Sequence, residues 1–453
     1  MMTQRKSIHG EWSSHIAFIL AAAGSAIGLG NIWKFSYMTG MNGGGAFVLV
    51  YLLCVVVIGM PVMMAEVMLG RRGRQNPINT MRMLAEDEGR GRHWQLVGWM
   101  GVVAGFLILS YYSVIAGWTM AYAVRSATGV FSGMDKEAVS AVFGSFVGNA
   151  EQTLIWHTIF MVMTGMVVSR GVRSGLEQAV RFMMPTLFLM LLMLVGYAMS
   201  TGHFAEGLQF LFRPDFEELS AEGVLMAMGQ AFFSLSLGMG AIMIYGSYLS
   251  HTASIPRTVT SIAFFDTTVA ILAGLAIFPI VFANGLEPAA GPGLVFETLP
   301  IAFGQMPGGA FFGTLFFVLL VFAAWTSSIS LMEPAVAWLM ENHGLSRVKA
   351  AVWVGIVIWI IGIGTVLSFS AWSGKTLFGK TFFDLVDFLT SNIMLPLGGF
   401  LMVVFAAWFM SEKACREELA LSNGFAYRAW RLLTRYVAPV AVMLVFLNAV
   451  GVL

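Results

Sequence analysis

Long apolar runs separated by short polar segments dominate the sequence. Eleven of these runs approach the ~20 residues that an α-helix needs to cross a lipid bilayer. The pattern therefore predicts an all-α polytopic membrane protein with eleven transmembrane helices, numbered here as the first to the eleventh span. The predicted spans lie near residues 16–40, 46–70, 95–125, 154–170, 178–200, 222–248, 258–285, 309–340, 348–370, 382–410 and 432–453.

Two of the predicted spans contain glycine-rich interruptions. The first span includes Gly24-Ser-Ala-Ile-Gly-Leu-Gly-Asn31, and the sixth includes Ser234-Leu-Ser-Leu-Gly238-Met-Gly240. Glycine costs about 1 kcal/mol relative to alanine in a helix interior, and a helix in lipid can break only where its freed N–H and C=O groups find partners. Glycines that serve helix contacts are the alternative interpretation. The repetition of the pattern about 210 residues apart favours two interrupted helices that build a binding site.

The composition excludes a soluble globule and indicates an orientation. Hydrophobic residues make up 58% of the chain and charged residues only 11%. Of the 25 Lys and Arg residues, 19 fall in segments on the same side as the N-terminus, which predicts a cytoplasmic N-terminus. The 2 cysteines, one in a span and one in a loop, predict no disulfide.

Several ionisable residues lie within apolar sequence, where charges are rare and usually functional. Glu66 is placed to accept hydrogen bonds from backbone N–H groups freed by the breaks, and Asp266 calls for a partner cation. Lys34 either snorkels outward or meets Asp384 or Asp387 at the outer mouth. Asn, Ser, Thr and Asp oxygens near half-helix ends suit Na⁺. The sequence contains no phosphate loop, nucleophile elbow or His/Cys metal spacing, which argues against an enzyme.

Three further features of the sequence bear on function, and two of them allow more than one interpretation. Trp12 follows the charged N-terminal segment and is either an interfacial anchor or a latch. Thr326-Ser-Ser328 supplies three hydroxyls in a row, although such hydroxyls often bond only to their own helix. Gly175 and Pro185 bracket a segment that can lose helicity cheaply.

The sequence resembles the neurotransmitter:sodium symporter family, most of all its bacterial amino-acid transporters, and the resemblance implies a multi-pass protein of the plasma membrane, which is the inner membrane in bacteria. The motifs that carry the resemblance are Gly24-Ser-Ala-Ile-Gly-Leu-Gly-Asn-Ile-Trp-Lys-Phe35, Asn42-Gly-Gly-Gly-Ala-Phe47 and Gln230-Ala-Phe-Phe-Ser-Leu-Ser-Leu-Gly-Met-Gly-Ala241. The resemblance implies two inverted repeats of five helices, each opening with a broken helix. Residues 1–453 then form a single transporter domain, with repeat one at about 12–200, repeat two at about 222–410 and an additional helix at 430–453.

The resemblance also implies a substrate site, two sodium sites and two gates, with no organic cofactor. Sodium site one would use Ala26, Asn31, Ser234, Asp266 and the substrate carboxylate. Sodium site two would use Gly24, Ile27, Ala323, Thr326 and Ser327. The substrate would contact Ala26, Leu29, Gly30, Ile108, Tyr112, Phe233, Ser234, Ser236, Met239, Ser327 and Leu331. Lys34 and Asp387 would form the outer gate, Trp12 and Glu341 the inner one, and Glu66 and Gln230 would support the breaks.

The sequence departs from the family pattern at four positions. Asp266 stands where chloride-dependent relatives have Asn, and its carboxylate would supply the negative charge that chloride supplies there. Lys34 and Ser36 replace an Arg and a Pro of the outer gate, and a lysine cannot form a bidentate fork. His9 replaces the arginine of the inner gate, which leaves its pairing with Glu341 open.

The predicted function is sodium-coupled, chloride-independent amino-acid import by alternating access, in which Phe233 and Tyr112 close over the substrate. Met239 beside Ile108 and Leu331 suggests a flexible apolar pocket, which favours hydrophobic or aromatic L-amino acids. The alternatives are a small or non-α-amino solute, a ligand-gated channel, and a substrate-binding sensor with the same fold. The expected partners are the amino acid and membrane lipid, without nucleic acid, for a monomer or weak dimer.

Overall fold

The computed structural model describes residues 7–288, 291, 293–421 and 424–452, and helices account for most of them. Within these ranges the only β pairing consists of two isolated bridges. The all-α fold class is therefore confirmed. Arg5 and Lys6, which contribute to the orientation prediction, lie outside the described residues.

Nine helices in the described part of the chain are long and apolar enough to cross a membrane, and the bent first span adds a tenth crossing. The sixth predicted span consists of two shorter helices joined by the second interruption. Most spans extend several residues beyond their apolar cores because polar terminal turns continue the helix. The bounds are His15–Ala26 with Gly30–Met41, Gly45–Gly73, Arg92–Ala127, Ala150–Ser169, Val172–Met199, Ala221–Ser234 with Ala241–Ser247, Ile255–Ala283, Gly309–His343, Arg347–Ser368, Phe382–Phe409 and Gly424–Ala449.

The first span is interrupted where the sequence predicts it. Its first half begins at the N-cap Ser14, whose side chain accepts a hydrogen bond from the Ala17 N–H, and ends at Ala26. Ile27 then takes an extended conformation with ψ 107°. The second half starts at Gly30, and the two halves meet at an angle of 55°. Between the two halves, Ile27 and Gly28 lie outside helical structure.

The sixth span is interrupted by left-handed backbone. Ser236, Gly238 and Gly240 have φ values of 55°, 82° and 73°. This conformation is costly for most residues with a Cβ and cheap for glycine. A Cβ on Gly238 would also lie only 2.5 Å from the Leu395 carbonyl oxygen of the tenth span. Conformation and contact therefore both require glycine at position 238.

The fifth span opens with a widened turn. The Gly175 and Leu176 N–H groups both bond to the Gly171 carbonyl, each at 3.0 Å, so the turn spans an extra residue. Pro185 lies farther along the same helix and lacks a backbone N–H. The segment that the sequence predicts to unwind is thus helical here, with weakened hydrogen bonding at both its ends.

Candidate substrate and ion site

The two interruptions, together with the third and eighth spans, enclose a small cavity. Its volume is about 30 Å³. All the predicted substrate residues except Leu29 line it, and so do Ser25 and Gly28, which the sequence analysis missed although they lie inside the first glycine motif. The lining residues are Ser25, Ala26, Gly28, Gly30, Ile108, Tyr112, Phe233, Ser234, Ser236, Met239, Ser327 and Leu331.

One backbone N–H group at the first break, that of Leu29, points to the third span. The Leu29 N–H donates to the Tyr112 hydroxyl oxygen at 3.2 Å. A Cβ on Gly28 would lie 2.6 Å from Ser327 Oγ, so the approach of the eighth span requires glycine at that position. N–H groups at the start of a helix attract negative charge. This end of the cavity therefore suits a carboxylate.

Asp266 of the seventh span lies fully buried beside the first break. Its Oδ1 accepts a hydrogen bond from Asn31 Nδ2 at 2.7 Å, and its Oδ2 accepts one from the Tyr51 hydroxyl at 3.4 Å. Tyr51 also lies 3.2 Å from Ser234 Oγ. The described residues place no cationic side chain at hydrogen-bond distance from this carboxylate. A buried charge needs a counter-charge, and amide, hydroxyl and carboxylate oxygens are donors that fit Na⁺.

The second predicted sodium group also comes together, on the other side of the first break. Ser327 Oγ donates to the carbonyls of Ile27 and Ser25, both at 3.2 Å. Thr326 Oγ1 donates to the Ala323 carbonyl at 3.0 Å and lies 3.5 Å from the Ile27 carbonyl. Carbonyl and hydroxyl oxygens without a carboxylate form a neutral set of hard ligands, which fits a monovalent cation.

Gly24 completes this group by letting the fifth and eighth spans approach. A Cβ on Gly24 would lie 3.1 Å from Met184 Sδ and 3.4 Å from Thr326 Cβ. The contact with Met184 is tighter than an ordinary side-chain contact, so a Cβ here would require the Met184 side chain or the first span to shift. Glycine therefore lets the first span lie close to the fifth and eighth spans.

Side chains from elsewhere in the fold hold the two breaks. Glu66 of the second span is fully buried, and its Oε1 accepts a hydrogen bond from the Gly238 N–H at 2.7 Å. Gln230 Nε2 donates to the Gly30 carbonyl at 2.8 Å, which ties the two breaks to each other. Ser236 Oγ adds a second tie by donating to the Ser25 carbonyl at 3.0 Å. Freed backbone groups of both breaks thus have partners, as a membrane interior demands.

An aromatic cluster closes the pathway on the face opposite the N-terminus. Phe296, in the turn Leu294–Thr298 between the seventh and eighth spans, is buried at its centre. Its ring lies 5.2 Å from that of Tyr122 and stacks on that of Phe143 at 5.6 Å. We call this cluster the aromatic closure; its members are Trp33, Trp118, Tyr122, Phe143, Phe296 and Phe317.

Lys34 lies on the same face against an aromatic ring, with Asp387 close enough to act on its charge. Its ammonium lies 4.3 Å from the centre of the Phe233 ring. Of the two acids predicted to meet it, Asp384 caps the tenth span with Thr381. Asp387 accepts a hydrogen bond from Ser391 Oγ at 2.8 Å. In the described conformation Lys34 makes a cation–π contact above the cavity that Phe233 covers.

The N-terminal segment closes the pathway on its own face. Trp12 is 6% exposed, and its indole Nε1 donates to the Tyr245 carbonyl at 3.3 Å. Its backbone N–H donates to the Tyr248 carbonyl, also at 3.3 Å. Trp12 therefore packs against the second half of the sixth span, and these contacts are the ones that a latch would make. The structure also brings His9 and Glu341 together, with Nε2 at 2.8 Å from Oε1.

Two acidic residues that the sequence analysis did not single out strengthen this closure. Glu177, in the widened turn of the fifth span, accepts hydrogen bonds from the Ser13 backbone and hydroxyl and pairs with Arg181. Glu333 is fully buried in the eighth span, where it accepts a hydrogen bond from the Tyr248 hydroxyl at 2.8 Å and pairs with Arg347. Most of these partners lie about 80 or more positions apart in the sequence, so the sequence alone does not identify them. We call the contacts of residues 9–13 the N-terminal closure.

Two interrupted membrane helices around an oxygen-lined cavity, with a closure on each face, define a secondary transporter. The chain belongs to the sodium:neurotransmitter symporter family, whose model matches residues 9–135 and 142–453. It is therefore a multi-pass, sodium-dependent symporter and not an enzyme, and sodium is its co-substrate.

Relatives from several organisms match along the whole chain. An uncharacterized sodium-dependent transporter of Bacillus subtilis, YhdH, is 42% identical, with 100% of both chains covered. The human sodium- and chloride-dependent GABA transporter 2 is 25% identical over 94% of this chain and 76% of its own. The crystal structure of MhsT in complex with L-phenylalanine is similar with a TM-score of 0.89 and 43% identity, covering 97% of this chain and 99% of that one.

Proposed function

We propose that this protein imports hydrophobic or aromatic L-amino acids together with sodium and without chloride. The observation that carries the substrate class is the composition of the cavity. One wall consists of backbone groups of the breaks and of hydroxyl groups, and the other is formed by Ile108, Met239 and Leu331. An amino acid has the same division between a charged end and an apolar side chain. MhsT, which is similar to this chain, is described in complex with L-phenylalanine.

The polar wall assigns roles to the predicted residues. The substrate carboxylate would take the N–H groups of Leu29 and Gly30 and the Tyr112 hydroxyl. A sodium ion beside it would neutralise Asp266 with ligands from Ala26, Asn31 and Ser234. A second sodium ion would bind Gly24, Ile27, Ala323, Thr326 and Ser327. Two ions would let the membrane potential contribute about 2.3 kcal/mol per charge per 100 mV.

Alternating access would follow from the two closures. With the N-terminus in the cytoplasm, as the distribution of Lys and Arg supports, the aromatic closure faces outward and the N-terminal closure faces inward. Sodium and substrate would enter when the aromatic closure opens, and they would leave when Trp12 detaches from Tyr245 and the fifth span loosens between Gly175 and Pro185. Phe233 would cover the substrate from outside, with Lys34 above it.

One observation favours a smaller substrate as the second candidate. The cavity of about 30 Å³ has room for only about two water molecules, since each needs ~10–15 Å³ by this measure. A phenylalanine side chain would have to displace neighbouring groups. Met239 is the unbranched side chain in the apolar wall, so it can move at low cost. The size of the transported substrate therefore tests how far the side chains of the apolar wall can move.

The deciding experiment is uptake of labelled solutes into proteoliposomes with an imposed sodium gradient. We expect concentrative uptake of leucine, phenylalanine or tryptophan, and none when potassium replaces sodium. Gly28→Ala is the inactive control because its Cβ would lie 2.6 Å from Ser327 Oγ, while Gly144→Ala, with open space around it, is the matched active control. Uptake of only alanine, glycine or a non-α-amino solute would reject the substrate class. Binding without accumulation would indicate a sensor.

Chloride is expected to have no effect on this uptake. The buried Asp266 carboxylate already places a negative charge at the first sodium group. Replacement of chloride by gluconate at constant sodium should leave the initial rate unchanged within error. Chloride-stimulated uptake at fixed sodium would contradict the proposed role of Asp266, and it would do so without affecting the assignment of the substrate.

A further inference from the structure

A large cavity lies away from the substrate site, between the third, eighth and ninth spans. Its volume is about 620 Å³, which is within the ~300–1,000 Å³ of pockets that hold small molecules. None of the residues that line it lines the substrate cavity. We call it the tryptophan crevice; its walls include Trp99, Phe106, Ala335, Trp338, Trp353 and Val357.

Apolar side chains form almost all of the crevice wall. The Trp338 ring lies 4.9 Å from the Trp99 ring and 4.8 Å from the His343 ring. The described residues that line the crevice include one ionisable side chain, that of His343. A water molecule in a cavity needs about two to four polar partners, and these walls do not supply them. The occupant must therefore be apolar over most of its length.

The crevice opens toward lipid along the ninth span, which is long and apolar enough to cross a membrane. Trp353 is 59% exposed and Val357 is 41% exposed. The two residues lie one helical turn apart on the same face of the span. The neighbouring Ile356 and Ile360 are exposed as well. Hydrocarbon chains of the bilayer are therefore the apolar groups that reach this opening.

The depth of the crevice fits one leaflet of the bilayer. Along the eighth span it extends from Ala335 to His343, where that helix ends. At the rise of an α-helix this distance is about 12 Å, less than the ~15 Å that is half of the hydrocarbon core. This end of the eighth span lies on the same side as the N-terminal closure, because Glu341 contacts His9. A lipid chain in the leaflet on that side can therefore reach the bottom of the crevice.

A cation without a carboxylate partner stands near the opening. Lys349 lies in the first turn of the ninth span, one turn before Trp353 on the same face. The described residues place no carboxylate within salt-bridge distance of Lys349, whereas the nearby Arg347 pairs with Glu333. A positive charge in the first turn opposes the helix dipole, so helix stability does not account for this lysine. An anionic headgroup above the crevice would supply its counter-charge.

We propose that the tryptophan crevice binds one acyl chain of an anionic phospholipid from the leaflet on the N-terminal side, with the lipid phosphate at Lys349. The chain fills apolar space that water cannot fill, and the phosphate neutralises the ammonium. Ala335 follows Leu331 of the substrate cavity by one helical turn. The bound chain therefore packs against the part of the eighth span that carries the substrate wall. The site does not depend on which substrate is transported.

The test is photocrosslinking with phosphatidylglycerol that carries a diazirine in one acyl chain. The full chain is reconstituted in phosphatidylcholine liposomes with a small, fixed fraction of this probe, and adducts are mapped by mass spectrometry. Phosphatidylcholine is then replaced stepwise by unlabelled phosphatidylglycerol. We expect adducts within residues 335–357 to fall by ~5-fold, which is the preference that one lysine near the membrane surface confers. Adducts at the exposed Leu189 of the fifth span should stay constant. Constant labelling in the crevice as well would overturn the proposal.

Two pairs of variants separate the acyl chain from the phosphate. Val357→Trp obstructs the opening and should reduce crevice labelling to the level at Leu189, while Ile356→Trp, 45% exposed and outside the crevice, should label as the native protein does. Lys349→Gln should abolish the effect of unlabelled phosphatidylglycerol, while Arg428→Gln, at an exposed cation of the eleventh span, should preserve it. Equal labelling of the two tryptophan variants, or a full phosphatidylglycerol effect in Lys349→Gln, would overturn the proposal.

A second copy of the chain is the rival occupant of this face, and dilution distinguishes it from lipid. Labelling of the native protein is compared at high and low protein-to-lipid ratios. We expect the same number of crevice adducts per protein at both ratios. Labelling that appears only on dilution would mean that a second copy covers the crevice, and it would overturn the proposal. If Val357→Trp does not fold, the competition and dilution results on native protein decide.

Discussion

Asp266→Asn is expected to raise the sodium concentration for half-maximal uptake by ~10- to 100-fold, because hydrogen bonds and ion contacts to a charged group contribute about 1.5–3 kcal/mol. The amide keeps the size of the side chain, and its oxygen can still accept from Asn31, but it no longer neutralises a cation. The measurement is the sodium dependence of initial uptake at saturating substrate. Among the described residues this carboxylate has amide and hydroxyl partners only, which supports the proposal that sodium supplies its counter-charge.

The same substitution should not destabilise the sodium-free protein. A buried carboxylate without a cation is costly, and its removal should leave the melting temperature without sodium unchanged or higher. Asp384→Asn at the exposed start of the tenth span is the matched control and should leave the sodium dependence unaltered. An Asp266→Asn protein with native sodium affinity would show that the ion does not bind here.

Glu66→Ala is expected to lower uptake by roughly tenfold or more and to reduce thermal stability. It removes the acceptor of the Gly238 N–H, and a buried donor left without a partner costs about 1–3 kcal/mol. The left-handed backbone around Gly238 would then lose the side chain that fixes it. Uptake and the melting temperature in detergent, compared at equal protein, measure both effects.

The variant Glu66→Gln separates the hydrogen bond of Glu66 from its charge. Its side-chain carbonyl can replace Oε1 as an acceptor while the charge is removed. We expect the glutamine variant to retain most of the uptake. Glu137→Ala, which replaces an exposed glutamate outside the membrane spans, is the control and should leave uptake unchanged. Equal loss in the alanine and glutamine variants would mean that the charge of Glu66, and not its hydrogen bond, supports the break.

The fold follows from the sequence because its two main signals are local. The length of each apolar run fixes the number of crossings, and the glycine clusters locate the breaks at Ile27 and Ser236. The motifs around Asn31 and Ser234 also bring most of the cavity residues together, since each break carries several of them within eight residues. The extent of each span is less evident, because polar turns such as Arg71–Gly73 continue a helix beyond its apolar core.

The closures are less visible in the sequence. Phe296 is one of 37 phenylalanines, and nothing local distinguishes the one that several rings surround. Tyr51 reaches Asp266 across 215 positions, and Glu66 reaches Gly238 across 172. Lys34 is a further example of a contact that the sequence does not determine. Its position within the first span suggests a carboxylate partner. Whether it faces Asp387 or Phe233 depends on how the first, sixth and tenth spans pack together.

The aromatic closure implies that cooling weakens one face of the transporter more than the other. Contacts between the rings around Phe296 are hydrophobic and weaken on cooling. The N-terminal closure also contains ring contacts, between Trp12 and Tyr245, but hydrogen bonds and the Glu177–Arg181 ion pair reinforce them. Under the proposed orientation, cold should therefore favour the outward-facing state. Temperature would then be an effector of this transporter that binds nowhere.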